Sequence, residues 1–276
     1  MLKHKTLIKT PSIIVVMLLL SACATSPTGR SQFVMMPKSQ MVVMGVQSFQ
    51  QLQDETPLVK ERAMTTYVQC VAQAIIDLPS VQKASPDWEV QVFDDDAVNA
   101  FALPGGKIGV NKGLLKVARS ADQLAAVLGH EVGHVLARHG NERVSQQFAV
   151  GQAMTLIESW MAANNTAYRQ TAMAALGVGA KVGVLLPFGR TQESESDEIG
   201  QDLMARAGFD PRASVTLWQN MAQLNSKQPA EFLSTHPSHK NRIKDLQSNM
   251  SRALALYDKA QAAGRTPSCR TPGTAK

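Results

Sequence analysis

Residues 130–134 read His-Glu-Val-Gly-His. Side chains four apart on an α-helix share one face. His130 and His134 can therefore aim two imidazoles at a single zinc ion, with Glu131 beside the metal as a base toward water. At this chain's own His and Glu content, such a pentad arises by chance in roughly one sequence of this length in two hundred. Leu124, Ala125, Val127 and Leu128 before it, and Val135 and Leu136 after it, read as a buried helix over about 121–138. Ser120 starts that helix, with Asp122 in its first turn. The competing reading is a core helix with two satisfied histidines and a solvated Glu. His139 follows five residues after His134, the wrong step for the same helix face, and reads as a helix-end residue near the C-terminal dipole.

Two histidines leave zinc short of protein ligands, since a catalytic site takes three and keeps a position for water. The candidate third lies in the stretch 190–200, where Glu193 and Asp197 are four apart and share a face. Glu195 falls on another face, and Glu195 and Glu198 read as solvated. HExGH followed some sixty residues later by E-x-x-x-D resembles the HtpX / CAAX prenyl protease-type zinc metallopeptidases, a family that includes the BepA- and LoiP-like bacterial lipoprotein peptidases. The family form is about S-R-x-x-E-x-x-A-D-x-x-G. Here the stretch runs from Gly189-Arg190 through Glu193, Ser196 and Asp197 to Gly200, with Ser196 a small-for-small replacement of the usual Ala.

The resemblance implies Glu193 as the third ligand of one Zn2+ per chain, and Asp197 as the partner that orients a metal-bound imidazole. The stretch Asn99–Gly106 (Asn-Ala-Phe-Ala-Leu-Pro-Gly-Gly) also resembles the family, in its Oma-like and BepA-like members. So does Thr235-His236-Pro237-Ser238 followed by Arg242. By that likeness His236 lies near the metal. There it either stabilises the transition state or occupies the open zinc position in a resting form, and Arg242 assists catalysis. The likeness covers about residues 40–250 and implies a gluzincin-type domain.

The positioning elements follow from patterning. Residues 40–53 and 61–78 suit helices, and Pro79, Ser80 and Pro86 mark the connection after them. Trp88–Phe93 alternates as a half-buried strand does, and Asp94–Asp96 read as a solvated turn. Two short strands then flank Pro104-Gly105-Gly106. Pro104 cannot donate to a ladder, which puts this hairpin at a sheet edge. A peptide substrate can add there as a further strand along Asn99, Ala100, Phe101 and Ala102. Helical patterns continue over 142–163 and 169–186. The second is Gly/Ala-rich and too interrupted for a membrane span. The expected fold is mainly α, an α+β metallopeptidase domain with a small edge sheet.

The 276 residues suffice for one large domain or two small ones, and 44% hydrophobic content supports a real core. Lys3, Lys5 and Lys9 precede a short apolar stretch, Ile13–Leu20, and then Leu20-Ser21-Ala22-Cys23. This resembles a bacterial lipobox. It implies a lipoprotein signal peptide over 1–22, acylation of Cys23 (palmitate), a tether over 23–39, the peptidase domain over 40–250, and a helix end and tail over 251–276. Ala24 stands where an Asp favours inner-membrane retention. The expected address is therefore the outer membrane of a Gram-negative cell, facing the periplasm. The leader holds three lysines and no acid, so its removal takes the formal charge from +6 to +3. That small charge, without a basic stripe, argues against nucleic acid as a partner. Cys70 and Cys269 can form a disulfide in an oxidising compartment or stay as two thiols, and the sequence leaves both open.

Together these point to a zinc endopeptidase that degrades misfolded or stalled envelope proteins, with outer-membrane lipid and outer-membrane assembly machinery as further partners. Two alternatives remain. One is a chaperone or assembly factor on a self-inhibited peptidase scaffold. The other is a structural lipoprotein with a vestigial metal site.

Overall fold

The computed structural model describes residues 23–163, 189–224, 231–236 and 241–272. A short antiparallel hairpin opens the chain, β1 (Cys23–Thr25) and β2 (Ser31–Phe33). Helices α1 (Lys38–Glu55), α2 (Arg62–Ile76) and α3 (Pro79–Ala84) follow. Next come strands β3 (Glu89–Phe93), β4 (Ala100–Leu103) and β5 (Lys107–Asn111), then a 3-10 turn over Lys112–Lys116. Helices α4 (Ala121–Leu136), α5 (His139–Ala163), α6 (Arg190–Ala207), α7 (Arg212–Leu224), α8 (Glu231–Thr235) and α9 (Arg242–Ala262) complete the described chain. The expected mainly helical domain with a small edge sheet is what the chain forms.

Helix α4 is the central element. Ser120 caps it, its side chain accepting from the Gln123 amide at 3.2 Å, and residues 123–134 are buried without a break. A helix buried on all sides sits inside a core rather than on it. Here α2, α6, α7 and β4 surround it. Its Leu124 and Leu128 interlock with Val68, Ile75, Ile108, Met204, Leu217 and Met221 around it, each at most 1% exposed.

The sheet order is β3-β5-β4, with β5 parallel to β3 and antiparallel to β4. The turn between β4 and β5 needs left-handed backbone at Gly105 (φ 89°) and Gly106 (φ 76°), which glycine adopts without steric cost. The expected hairpin at a sheet edge is present, with β4 as one of the sheet's two edge strands.

Three expectations change. Residues 23–39 are not a free tether. The β1–β2 hairpin docks on the end of α4 and the start of α5, where Gln32 Nε2 donates to the Ala137 carbonyl at 2.6 Å and Arg30 reaches two buried carboxylates. Its polar composition hides this, because the docking runs through hydrogen bonds and not an apolar face. Helix α5 starts at His139, not 142. Cys70 and Cys269 are joined, tying α2 to the C-terminal tail with Cα atoms 5.6 Å apart, so the tail is part of the domain. The leader over 1–22, the helical pattern over 169–186, and Pro237, Ser238 and His239 lie outside the described residues. No described helix is long and apolar enough to cross a membrane.

The disulfide closes a loop across 199 residues of sequence. Loss of such a crosslink costs about 2–5 kcal/mol through the entropy of the unfolded chain. Replacing both cysteines with serine is expected to lower the melting temperature by several degrees. Calorimetry of the double variant beside the oxidised and reduced parent checks this.

Candidate metal centre

The centre begins with a helix contact. A methyl group on Gly200 would lie 2.6 Å from the His130 backbone nitrogen, and one on Gly129 would lie 2.6 Å from the Gly200 carbonyl oxygen. One on Gly133 would lie 3.0 Å from the Ser196 carbonyl oxygen. Helices α4 and α6 thus touch backbone to backbone, and only small residues permit it. That approach brings Glu193, one helix away, to the two histidines of α4.

The side chains of His130, His134, Glu193 and His236 converge, each offering one ligand atom, and these atoms lie within 4.8 Å of one another. His130 Nε2 is 3.1 Å from His134 Nε2 and 3.3 Å from His236 Nδ1. Glu193 Oε1 lies 3.4 Å from His134 Nε2 and 3.1 Å from His236 Nδ1, and its Oε2 lies 3.5 Å from His130 Nε2. A tetrahedron with metal–ligand bonds of about 2.0–2.1 Å has edges of about 3.3–3.4 Å. The donors therefore already stand at the spacing a zinc ion demands, and two imidazole lone pairs face each other as they do only across a cation or a shared proton.

What holds the donors is also visible. His130 Nδ1 meets Asp197 Oδ1 at 2.9 Å, and Asp197 is in turn held by Arg242, whose Nη2 donates to the same oxygen at 2.7 Å. Arg242 Nη1 donates to Glu193 Oε2 at 2.9 Å, and its guanidinium stacks 3.3 Å over the Trp218 ring. Arg242, expected to assist catalysis, is buried against Glu193, Asp197 and His130, where it fixes the two carboxylates. His236 ends the short helix α8. Phe232 stacks on its ring at 4.5 Å, and the Phe232 amide donates to the Val98 carbonyl at 3.0 Å, tying α8 to the chain entering β4.

Burial and the Arg242 charge would lower His130, but its hydrogen bonds with Asp197 and Glu193 outweigh them and raise it to about 9, so a bound cation would displace its proton. Burial pushes His134 well below the usual histidine range, so its ring is neutral and free to ligate. Burial would raise Glu193, but its hydrogen bonds with His130, His134 and His236 outweigh that and hold it ionised. Burial raises Glu131 above the ordinary carboxylate range. The Ala102 amide bonds to the Glu131 carboxylate, while its buried Oε1 makes no hydrogen bond and lies 3.5 Å from His236 Nε2. A buried acceptor left over beside the ligand cluster is the place for a water's proton.

The Asn111 amide donates to the Asn99 carbonyl at 3.0 Å. Antiparallel alternation then turns the backbone groups of Asn99, Phe101 and Leu103 toward β5, and those of Ala100 and Ala102 away from it. Of the four residues expected to pair with substrate, only Ala100 and Ala102 therefore face the open edge. Phe101 packs its ring against Phe49 and Phe93 instead.

One sequence reading fails here. Glu195 is not a solvated face: it is 5% exposed and bonded at 3.0 Å to His139, which stands at a helix end as expected but as the first residue of α5, and is 0% exposed. The cause is Arg138, a non-glycine residue at φ 56°. It breaks α4 and turns the chain so that His139 returns beneath His134. No glycine marks that stop, so the five-residue step was projected along a helix that does not continue. Glu198 does lie on the solvent side, paired with Arg252 at 2.7 Å.

Residues 62–250 match peptidase family M48. The chain belongs to that family. It is 40% identical over 185 residues to the mitochondrial metalloendopeptidase OMA1 of Schizosaccharomyces pombe, covering 66% of this chain and 52% of that protein. It is 41% identical over 182 residues to OMA1 of Arabidopsis thaliana, covering 65% and 35%. With the beta-barrel assembly-enhancing protease of Escherichia coli K12 it shares 27% over 215 residues, covering 75% and 43%. The chain spans about half the length, or less, of these relatives. The motif resemblance thus holds at the level of the family, and these matches lie on its OMA1 and assembly-enhancing side, not with HtpX or the prenyl proteases. M48 peptidases use zinc, and the His-His-Glu-His cluster can hold one ion.

Gly200→Ala is expected to force α4 and α6 apart, costing about 3 kcal/mol and weakening zinc retention by moving Glu193. Thermal melting and metal content after dialysis check both.

Proposed function

We propose that this chain is a zinc-dependent endopeptidase of the bacterial cell envelope that cleaves unfolded proteins. The observation that carries the reading is the convergence of His130, His134, Glu193 and His236 next to Glu131 Oε1, a buried acceptor that makes no hydrogen bond. When bound, zinc supplies a Lewis acid that makes water nucleophilic near neutral pH and polarises a carbonyl. Glu131 accepts the water's proton at Oε1 and delivers it to the leaving amine, while the Ala102 amide steadies its carboxylate. The outward backbone groups of Ala100 and Ala102 hold an extended peptide across the site. His236 Nε2, on the Glu131 side, donates to the oxyanion that forms. Asp197 and Arg242 keep His130 and Glu193 in place throughout.

The envelope address rests on the leader and on Leu20-Ser21-Ala22-Cys23. It places acylated Cys23 in outer-membrane lipid and the domain in the periplasm. The OMA1 relatives carry a mitochondrial name, but a lipobox-like leader suits a bacterial envelope. The Escherichia coli relative, named for enhancing beta-barrel assembly, supports misfolded or stalled outer-membrane proteins as substrates and the assembly machinery as a partner.

Glu131→Gln is expected to cut casein digestion by about 10²–10⁴-fold while keeping one zinc per chain. Undiminished digestion by that variant would reject the peptidase mechanism. Mass spectrometry of the mature protein is expected to show acyl chains on Cys23, and Cys23→Ser should leave the protein in the soluble periplasmic fraction.

One observation favours a second reading, a self-inhibited scaffold that acts mainly as a chaperone. His236 Nδ1 stands at the fourth ligand position, 3.3 Å from His130 Nε2 and 3.1 Å from Glu193 Oε1. On that reading the parent digests no casein, His236→Ala gains digestion, and Glu131→Gln keeps the cellular phenotype. On the peptidase reading, Glu131→Gln loses both digestion and phenotype.

A further inference from the structure

We propose that His139, Glu195 and Arg30 form a positioning relay for the metal ligand His134, which makes the N-terminal hairpin part of the centre. The proposal rests on the reading of the centre as a zinc site.

A ligating imidazole presents a lone pair on one nitrogen and must find an acceptor for the N–H on the other. His134 turns Nε2 into the cluster, so Nδ1 carries the proton. That Nδ1 lies 2.9 Å from His139 Nδ1. His139 accepts there only if its own proton sits on Nε2, and its Nε2 lies 3.0 Å from Glu195 Oε2, an acceptor with no proton to give. One tautomer of each ring satisfies both of these contacts: His134 Nδ1–H donates to His139 Nδ1, and His139 Nε2–H donates to Glu195. Ser196 Oγ, 3.4 Å from His139 Nδ1, is a weaker neighbour of the same nitrogen. Reversing the chain would put a proton on His134 Nε2 and remove it as a ligand.

Glu195 can hold that polarity only as a carboxylate, and a buried carboxylate needs a countercharge. Arg30 supplies it from the hairpin turn, with Nε 2.7 Å from Glu195 Oε2, and Thr28 Oγ1 donates to the other oxygen. The same guanidinium forks onto Glu142 at 2.9 and 2.8 Å, so one cation serves two buried acids. The two ligand imidazoles of α4 are thus backed in parallel ways. His130 is backed by Asp197 and then Arg242, and His134 by His139, then Glu195, then Arg30. The first arginine comes from α9. The second comes from a turn seven residues beyond Cys23.

The test uses the full purified chain, stripped of metal and titrated with zinc against a chromophoric chelator, and with Co2+ for its visible spectrum. His139→Phe keeps the ring volume without the acceptor. It is expected to weaken zinc binding 10–100-fold, to shift the cobalt absorption bands, and to lower kcat more than it raises KM. His139→Gln, which restores an acceptor, should recover part of the affinity. Glu195→Gln, which keeps shape but not charge, should fall between His139→Phe and the parent. Melting curves establish that each variant is folded, and the near-isosteric Glu195→Gln carries the test should His139→Phe not fold. Folded variants with parental zinc affinity and an unshifted cobalt spectrum would overturn the relay and leave the hairpin a structural strap. A parent that binds neither metal would overturn the zinc reading itself, and the relay with it.

Discussion

Everything in this site depends on how closely two helices approach. A catalytic zinc centre built from one helix has two ligands and no third. The third must come from elsewhere at a fixed distance, and at the ordinary interaxial distance of 8–10 Å larger side chains stand between neighbouring helices. Gly129, Gly133 and Gly200 remove the side chains between α4 and α6, leaving backbone against backbone. Ser196, buried in the same seam, contributes its backbone as the opposing wall. The glycine inside the His-Glu-Val-Gly-His pentad is thus a packing residue, and Gly200, seven positions after Glu193, is its counterpart. The apolar core around α4 then serves to hold that seam shut.

Such packing leaves charges in a dry interior, and each needs an answer. An ionised carboxylate without a partner is costly to bury, and removing one member of a buried pair costs more than the pair contributes. Glu193, Asp197, Glu195 and Glu142 are all 5% exposed or less. Arg242 answers the first two, and Arg30 answers the last two. The arrangement gives His130 and His134 each a fixed partner on the nitrogen turned away from the cluster before a metal arrives, which is what pre-organisation of a centre requires. It also explains why Arg242 lies behind the ligands. Its work is to keep two carboxylates charged and still, and its stacking on Trp218 keeps the guanidinium plane from turning.

Much of this was legible in the sequence because it is periodic. A four-residue step on a helix is a short-range rule, and it correctly grouped His130 with His134 and Glu193 with Asp197. Pro104-Gly105-Gly106 announced a turn whose φ values only glycine takes easily, and the missing proline amide placed β4 at an edge. Periodicity failed where the chain left it. Arg138 breaks α4 in the left-handed region without a glycine to mark the place, so His139 could not be read beneath His134. Arg30 and Glu195 are 165 residues apart, and no local rule links them. The hairpin that carries Arg30 is rich in Ser, Thr, Pro and Gly, the composition of a linker. Its docking uses a guanidinium and an amide, which leave no hydrophobic signature. The Cys70–Cys269 pairing needed the tail to fold back on α2, again a fact of three dimensions.

The edge strand sets a limit on recognition that follows from the same geometry. Going along β4, the outward-facing positions are Val98, Ala100, Ala102 and Pro104. The Val98 carbonyl is taken by the Phe232 amide, the Ala102 amide is engaged by Glu131, and Pro104 has no amide to offer. The ladder open to an incoming peptide is therefore about two residues long, and backbone pairing of that length adds little affinity and reads no side chain directly. A short, sequence-blind ladder suits the function proposed above, cleavage of chains because they are extended and unfolded and not because they carry a motif. The same contact that shortens the ladder, Phe232 to Val98, anchors the helix bearing His236. The strand proposed to seat the peptide and the histidine that stands at the fourth ligand position are accordingly linked by that one backbone hydrogen bond.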